Sequence, residues 1–168
     1  MGKIKLSKDK PGIDVLGNLD ELNSWLGICR NGLTGELSKI SRDIEVIQEL
    51  IFVSQTQVAY KLMGLNPKLR IDSADLKILE RIIEGINKQV PEIKKFIIPG
   101  ASDVSAKLDF ARTLARRAER SFVCWAKNHK GKEQELASFL NRLSSVLFAL
   151  ARLANHILKI KEKSPRYK

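Results

Sequence analysis

Two stretches decide what this chain can fold into. From Val104, the residues Leu108, Ala111, Ala115, Ala118, Phe122 and Trp125 recur at alternating steps of four and three, the seam of a helix packed along its whole length. A second seam runs through Leu136, Leu140, Leu143, Leu147, Leu150, Ala154 and Ile157. Each stretch also carries polar side chains beside its seam. Arg112, Arg116 and Glu119 each follow a seam residue by one position, about 100° round the helix. Asn141, Ser145 and Arg152 occupy the corresponding flank of the second stretch. A polar strip there borders the groove to a neighbouring helix, where solubility alone does not require it.

The rest of the chain is helical in pattern. Asn18 is expected to cap a first helix with seam Leu19, Leu22, Leu26 and Cys29, with Glu21 as its capping-box partner and a stop at Asn31-Gly32. A second is expected from about Glu36 to Met63, ended by Gly64 and Asn66-Pro67. Asp72 or Ser73 caps a third, which Pro91 stops. An extended connector, Phe96-Ile-Ile-Pro-Gly100, leads to the fourth, capped by Ser102 or Asp103, and the fifth follows the Asn128-to-Lys132 turn as far as about Lys163. No segment keeps a strand period long enough for a sheet. Long helices with short loops imply an all-α fold, a five-helix antiparallel bundle in a single domain over residues 1–168, with an N-terminal arm to residue 16 and a basic tail from 160. Helix two adds Leu50, Phe52 and Val53 to its stripe, a surplus that faces either a partner subunit or a fifth helix.

Composition narrows the function. The 168 residues carry a formal charge of +11, much of it at the ends in Lys3, Lys5, Lys8 and Lys10 and in Lys159, Lys161, Lys163, Arg166 and Lys168. Only 6% of residues are aromatic and none is interleaved with those lysines, so a base-stacking surface is not indicated and nucleic acid is not the expected partner. No run reaches the roughly 18 apolar residues of a membrane span, and the N-terminus lacks the apolar stretch of a secretory signal. Cys29 and Cys124 stand apart from each other and from any histidine at ligand spacing, as small buried hydrophobes in a reducing cytoplasm would. His129 and His156 are far apart and read as structural or solvated.

Four strings then point to a family. Gly17-Asn-Leu-Asp-Glu-Leu-Asn-Ser-Trp-Leu-Gly27, Phe96-Ile-Ile-Pro-Gly100, Ala111-Arg-Thr-Leu-Ala-Arg-Arg-Ala-Glu-Arg120 and Phe139-Leu-Asn-Arg-Leu-Ser144 occur in this order. In combination they resemble the ATP:cob(I)alamin adenosyltransferases of the propanediol-utilisation type, over roughly residues 8 to 155. The resemblance implies a trimer of five-helix bundles with active sites at subunit interfaces. It implies transfer of the 5′-deoxyadenosyl group of ATP to the cobalt of reduced cobalamin, with release of triphosphate. The implied ligands are ATP, magnesium and cobalamin as substrate, and the implied protein partners are a corrinoid reductase or a cobalamin-dependent enzyme.

Residue roles follow from the resemblance alone. Arg112 matches the arginine that pairs across the interface with the aspartate at Asp20. Arg116, Glu119, Arg120 and Asn141 match positions that hold ATP and its magnesium, Glu119 being the metal-side residue. Ser7 and Lys8 follow the place of the family's phosphate-wrapping loop and are the residues near it left to bind the nucleotide. Phe96 matches the phenylalanine that displaces cobalamin's lower axial ligand and leaves a four-coordinate, more easily reduced cobalt. Arg116 and Phe96 are therefore the two residues expected to act on the reaction itself.

The residue chemistry agrees. A triphosphate leaving group needs fixed positive charge, which arginines on a rigid helix supply through charge-assisted bonds, and the cofactor does the hard chemistry without a protein nucleophile. A structural reading stands beside each role. The arginines also suit ion pairs to adjacent helices, Asp20 and Glu21 a helix's first turn, Phe96 a core anchor, and Asn141 a bond to a neighbour's backbone.

The chain departs from the family pattern in three places. Members usually open with a segment resembling Thr-Gly-Asp-x-Gly-x-Thr, a phosphate-binding loop, whereas this sequence reads Met1-Gly-Lys-Ile-Lys5 with Ser7, Lys8 and Lys10 nearby. Ser145 stands where aspartate is common, and Ser54 and Gln57 stand where glycine and aspartate are usual. The alternative these departures raise is a non-catalytic module that binds cobalamin or adenosylcobalamin but has lost ATP.

Overall fold

In a computed structural model, which describes residues 11–127 and 133–167, the first helix opens on a proline. Helix α1 (Pro11–Arg30) uses Pro11 where a missing N–H costs nothing and the fixed φ suits the first turn. It therefore starts ahead of Asn18, which lies inside the helix instead of capping it. Val15, fully buried, extends the Leu19–Leu22–Leu26–Cys29 seam by one more turn. A 3₁₀ turn (Gly35–Leu37) leads into α2 (Ser38–Leu62), and Gly64 ends that helix at φ 72°, a left-handed position a side chain would strain.

Helix α3 (Ser73–Asn87) has the expected Asp72 cap. Asp72 Oδ1 accepts from the Ala74 N–H at 2.7 Å, and Asp75 Oδ2 accepts from the Asp72 N–H at 3.0 Å, a reciprocal box. Helix α4 (Asp103–Lys127) is capped by Ser102, whose Oγ accepts from the Ser105 N–H at 3.1 Å while Ser105 Oγ accepts from the Ser102 N–H at 2.9 Å. Helix α5 (Gln134–Ile157) stops short of Lys163. Lys159 turns the chain at φ 55°, and residues 160–163 fold back along the connector between α3 and α4, where the Lys163 carbonyl accepts from the Ile98 N–H at 2.8 Å.

Helix α4 lies between α1 and α5, with α2 outside α1 and α3 outside α5. Both seams are buried as their spacing predicts, apart from the partly buried end residues Val104 and Ile157; Ala111, Ala115 and Ala118 have no exposure, and such short side chains let the flanking helices approach closely. Paired side chains give the directions. Trp25 reaches the Lys107 carbonyl and Asn141 reaches Glu119, so α1 and α5 run antiparallel to α4. Helix α3 runs alongside α5 in the same direction, Glu80 meeting Arg142 near one end and Pro91 meeting Arg152 near the other. The described residues form five α-helices and no strand, an all-α bundle. Helix α5 is long and apolar enough to cross a membrane, but as a core helix it has 61% of its most apolar window buried.

The two cysteines differ. Cys29 is buried in the α1 seam as expected, whereas Cys124 is exposed on the outer face of α4. Burial pushes the Cys29 thiol from 9.0 up to about 12, only partly offset by the Lys107 charge. A raised folded-state pKa gives a stabilising term that is full below about pH 9 and lost as the pH climbs towards 12. A thiol reagent at pH 8 is thus expected to titrate Cys124 at once and Cys29 only after denaturant is added. Urea midpoints should fall as the pH rises above 9.

Candidate active site

The polar strip of α4 opens onto a groove. Its walls are Arg112 and Arg116 from α4, Ser144, Ser145 and Phe148 from α5, and the arc 93–97 of the connector, around a volume of about 740 Å³. Four of the ten lining residues are cationic and none is acidic, because Lys94 and Lys95 join the two arginines. The remainder is largely apolar. Phe96 stands 79% exposed, so it is no core anchor. Such a surface suits a ligand that is anionic at one part and broad and apolar at another.

Each charge on the strip is held differently. Arg112 is half-buried, with Nε 3.7 Å from Asp109 Oδ1, and that nitrogen has no hydrogen-bond partner among the described residues. Asp109 also accepts from the Gly100 N–H at 3.1 Å, so one carboxylate ties Arg112 to the end of the Phe96 connector. Arg116 is half-exposed and lies 3.8 Å from Glu119, which accepts from Asn141 Nδ2 at 2.7 Å. Arg116, Glu119 and Asn141 therefore form one cluster across α4 and α5, beside the groove.

Other expected residues lie apart. Arg120 is exposed and makes no ion pair among the described residues, and Asp20 is exposed on α1, outside the groove. Arg117 pairs with Glu21 and so links α4 to α1, the structural role open to it from sequence. Ser7, Lys8, Lys3, Lys5, Lys10, His129, Lys168 and the Asn128-to-Lys132 turn fall outside the described residues. His156 is exposed at the end of α5.

The sequence profile of the cobalamin adenosyltransferase family matches residues 1–154. This chain belongs to the cobalamin adenosyltransferase family. The corrinoid adenosyltransferase PduO of Salmonella typhimurium is 36% identical over 97% of this chain, which spans about half (49%) of that relative's length. A corrinoid adenosyltransferase of Citrobacter freundii is 33% identical over 90% of this chain and 85% of its own length. Among solved structures, a phenylalanine-to-alanine variant of a PduO-type ATP:corrinoid adenosyltransferase from Lactobacillus reuteri, complexed with cobalamin and ATP, superposes with a TM-score of 0.87. It is 32% identical, and the alignment covers 96% of this chain and 90% of that one. An arginine-to-lysine variant of the L. reuteri enzyme, complexed with ATP, gives 0.86 at the same identity and coverage.

Within this member of the family, the first of the three departures, in the opening segment, lies outside the described residues, and the other two fall in different places. Ser145 lines the groove itself. Ser54 and Gln57 lie in α2 and are satisfied locally. Ser54 donates to the Leu50 carbonyl at 2.9 Å, while Gln57 accepts from the Ile71 N–H at 2.9 Å and donates to Glu133. Gln57 thereby ties α2 to the segment before α3 and to the start of α5, whereas the Ser54 bond stays within α2.

Sequence reasoning missed Lys94, Lys95 and Asp109. The adjacent lysines before Phe96 were a visible signal. Asp109 was signalled only by its i,i+3 spacing to Arg112. Asp109→Ala removes the acceptor for the Gly100 N–H and the partner of Arg112. The expected cost is about 1 kcal/mol of stability, with faster amide hydrogen exchange at Gly100 than in the unchanged protein.

Proposed function

We propose that this chain transfers the 5′-deoxyadenosyl group of ATP to the cobalt of reduced cobalamin and releases triphosphate. The supporting observation is that fixed arginines and an exposed phenylalanine share one groove. Arg116, joined to Glu119 and Asn141, offers a planar fork to phosphate oxygens where negative charge gathers as triphosphate leaves. Arg120 is one helical turn further along the same side. The described residues include no cluster of three His, Cys, Asp or Glu able to hold a metal alone. Magnesium, however, is commonly bound by one or two carboxylates together with substrate phosphates, and Glu119 fits that demand. Bound there, the ion would neutralise charge on the triphosphate.

Phe96, with Ile93, Ile97 and Phe148, forms the apolar part of the groove. The phenyl ring is the wedge that displaces cobalamin's lower axial ligand, and the apolar walls exclude water from a strongly reducing cobalt nucleophile. No protein nucleophile takes part, since the cobalt attacks the 5′ carbon of ATP directly.

The site is completed by a second copy of the chain in a homotrimer. The Arg112 side chain is 28% exposed and Asp20 is exposed, so the outer face of the Arg112 guanidinium on one subunit is open to Asp20 of its neighbour. Phe52 and Ile28, 61% and 49% exposed, provide apolar surface for such an assembly. The reaction is placed in the cytoplasm, where a reductase supplies cob(I)alamin and a cobalamin-dependent enzyme receives the product.

The chain, ATP, magnesium and chemically reduced cobalamin should together yield adenosylcobalamin and triphosphate. A chain that binds the corrinoid but yields neither is instead a carrier that does not use ATP. Arg116→Ala is expected to lower kcat/KM for ATP by about one to two orders of magnitude, the loss of one charge-assisted bond of about 1.5–3 kcal/mol. It should also abolish the thermal-shift response to ATP while leaving the unliganded melting temperature nearly unchanged. Unfolding of that variant would mark Arg116 as structural.

A further inference from the structure

We propose that Glu162, in the segment that follows α5, is a positioning residue for Phe96; this rests on the reading of Phe96 as the wedge on bound cobalamin. By sequence the segment is a basic tail. In the structure it is a strap. Lys159 reverses the chain at φ 55°, the Ile160 N–H donates to the Asn155 carbonyl at 2.9 Å, and the Lys163 carbonyl receives the Ile98 N–H at 2.8 Å. Glu162 lies between these two backbone bonds and faces inward, with its side chain only 17% exposed.

Its two carboxylate oxygens serve two residues of α5. Oε2 lies 3.3 Å from Arg152 Nε, and Oε1 accepts from Asn155 Nδ2 at 3.1 Å. Both of those residues reach on to the connector that carries Phe96. Arg152 Nη2 donates to the Pro91 carbonyl at 2.8 Å, and Asn155 Oδ1 accepts from Ser102 Oγ at 2.8 Å. One carboxylate thus orients the side chains that pin both ends of residues 91–102. The strap's backbone fixes Ile98, two residues beyond Phe96.

The arc between those pins, residues 93–97, is the part that faces the groove. Phe96 has no packing of its own to hold it, being 79% exposed, so its reach depends on where the ends of the arc are fixed. Arg152 and Glu162 are both largely buried, at 13% and 17% side-chain exposure, where a hydrogen-bonded pair is less screened than on the surface. Removing the carboxylate leaves Arg152 and Asn155 without their common partner and releases both ends together.

The test compares the unchanged protein, Glu162→Ala, Phe96→Ala and the double variant. Each is assayed for adenosylcobalamin formation from cob(II)alamin with a one-electron reductant, and for the absorption bands of four-coordinate cob(II)alamin in the presence of ATP. Glu162→Ala is expected to lower kcat by about tenfold and to shrink the four-coordinate fraction, with KM for ATP unchanged, as a small misplacement of a positioned group does. In the Phe96→Ala background the same substitution should add less than about twofold, because coupled positions are not additive. Wild-type rate and spectrum in Glu162→Ala, or an equal loss with and without Phe96, would overturn the assignment. A Phe96→Ala protein that matches wild type overturns the wedge role beneath it, and an unchanged protein that forms no adenosylcobalamin overturns both. Should Glu162→Ala fail to fold, Arg152→Lys, which keeps the charge but not the reach to Pro91, goes through the same comparison with the same outcomes.

Discussion

The bundle is organised around the close packing of α4 between α1 and α5. Ala111, Ala115 and Ala118 are fully buried, and larger residues at those positions would push the neighbouring helices outward. With two sides of α4 committed to the core, its charged residues are confined to what remains. One is the strip that carries Arg112 and Arg116. The same close approach brings Asn141 of α5 within 2.7 Å of Glu119, so a packing constraint sets the geometry of a polar cluster.

The groove then combines two supports of different character. The arginines project from a helix whose seam is buried along its length, so their spacing is fixed by 3.6 residues per turn. The apolar wall belongs to a connector with little packing of its own, held at its ends by Arg152, Asn155, Asp109 and the returning C-terminal segment. The charge proposed to meet a polyphosphate sits on the rigid element. The exposed ring proposed to meet the corrinoid sits on the tethered one. Arg116 is half-exposed, so its attraction for any anion in the groove is screened by salt as long as water fills the groove.

Much of this was legible in the residues, for identifiable reasons. The helical seams of α4 and α5 repeat over many turns, and every turn adds to the periodic signal; both helices run along the seams read from sequence. The Asp72 cap was read correctly because the side-chain chemistry is local. The start of α1 was not, since Asn18 and Glu21 imitate a capping box inside a helix that Pro11 begins. The end of α5 was also missed. Lysine-rich sequence continues a helix as readily as it forms an exposed tail; α5 ends in a left-handed turn at Lys159, and Glu162 then holds the following segment to Arg152 and Asn155. At the site, Arg112, Arg116 and Phe96 do share one groove, while Lys94 and Lys95 join it on a connector whose path is set by tertiary contacts that no spacing rule encodes, Asp109 of α4 among them.

The central claim is that the guanidinium groups of α4 exist to hold a nucleotide's phosphate chain. Calorimetric titration of the protein with ATP, with adenosine and with inorganic tripolyphosphate tests it directly. The account predicts that ATP binds far more tightly than adenosine, that tripolyphosphate competes with ATP, and that added salt weakens both phosphate ligands. Equal affinity for ATP and adenosine, with no competition from tripolyphosphate, would contradict it.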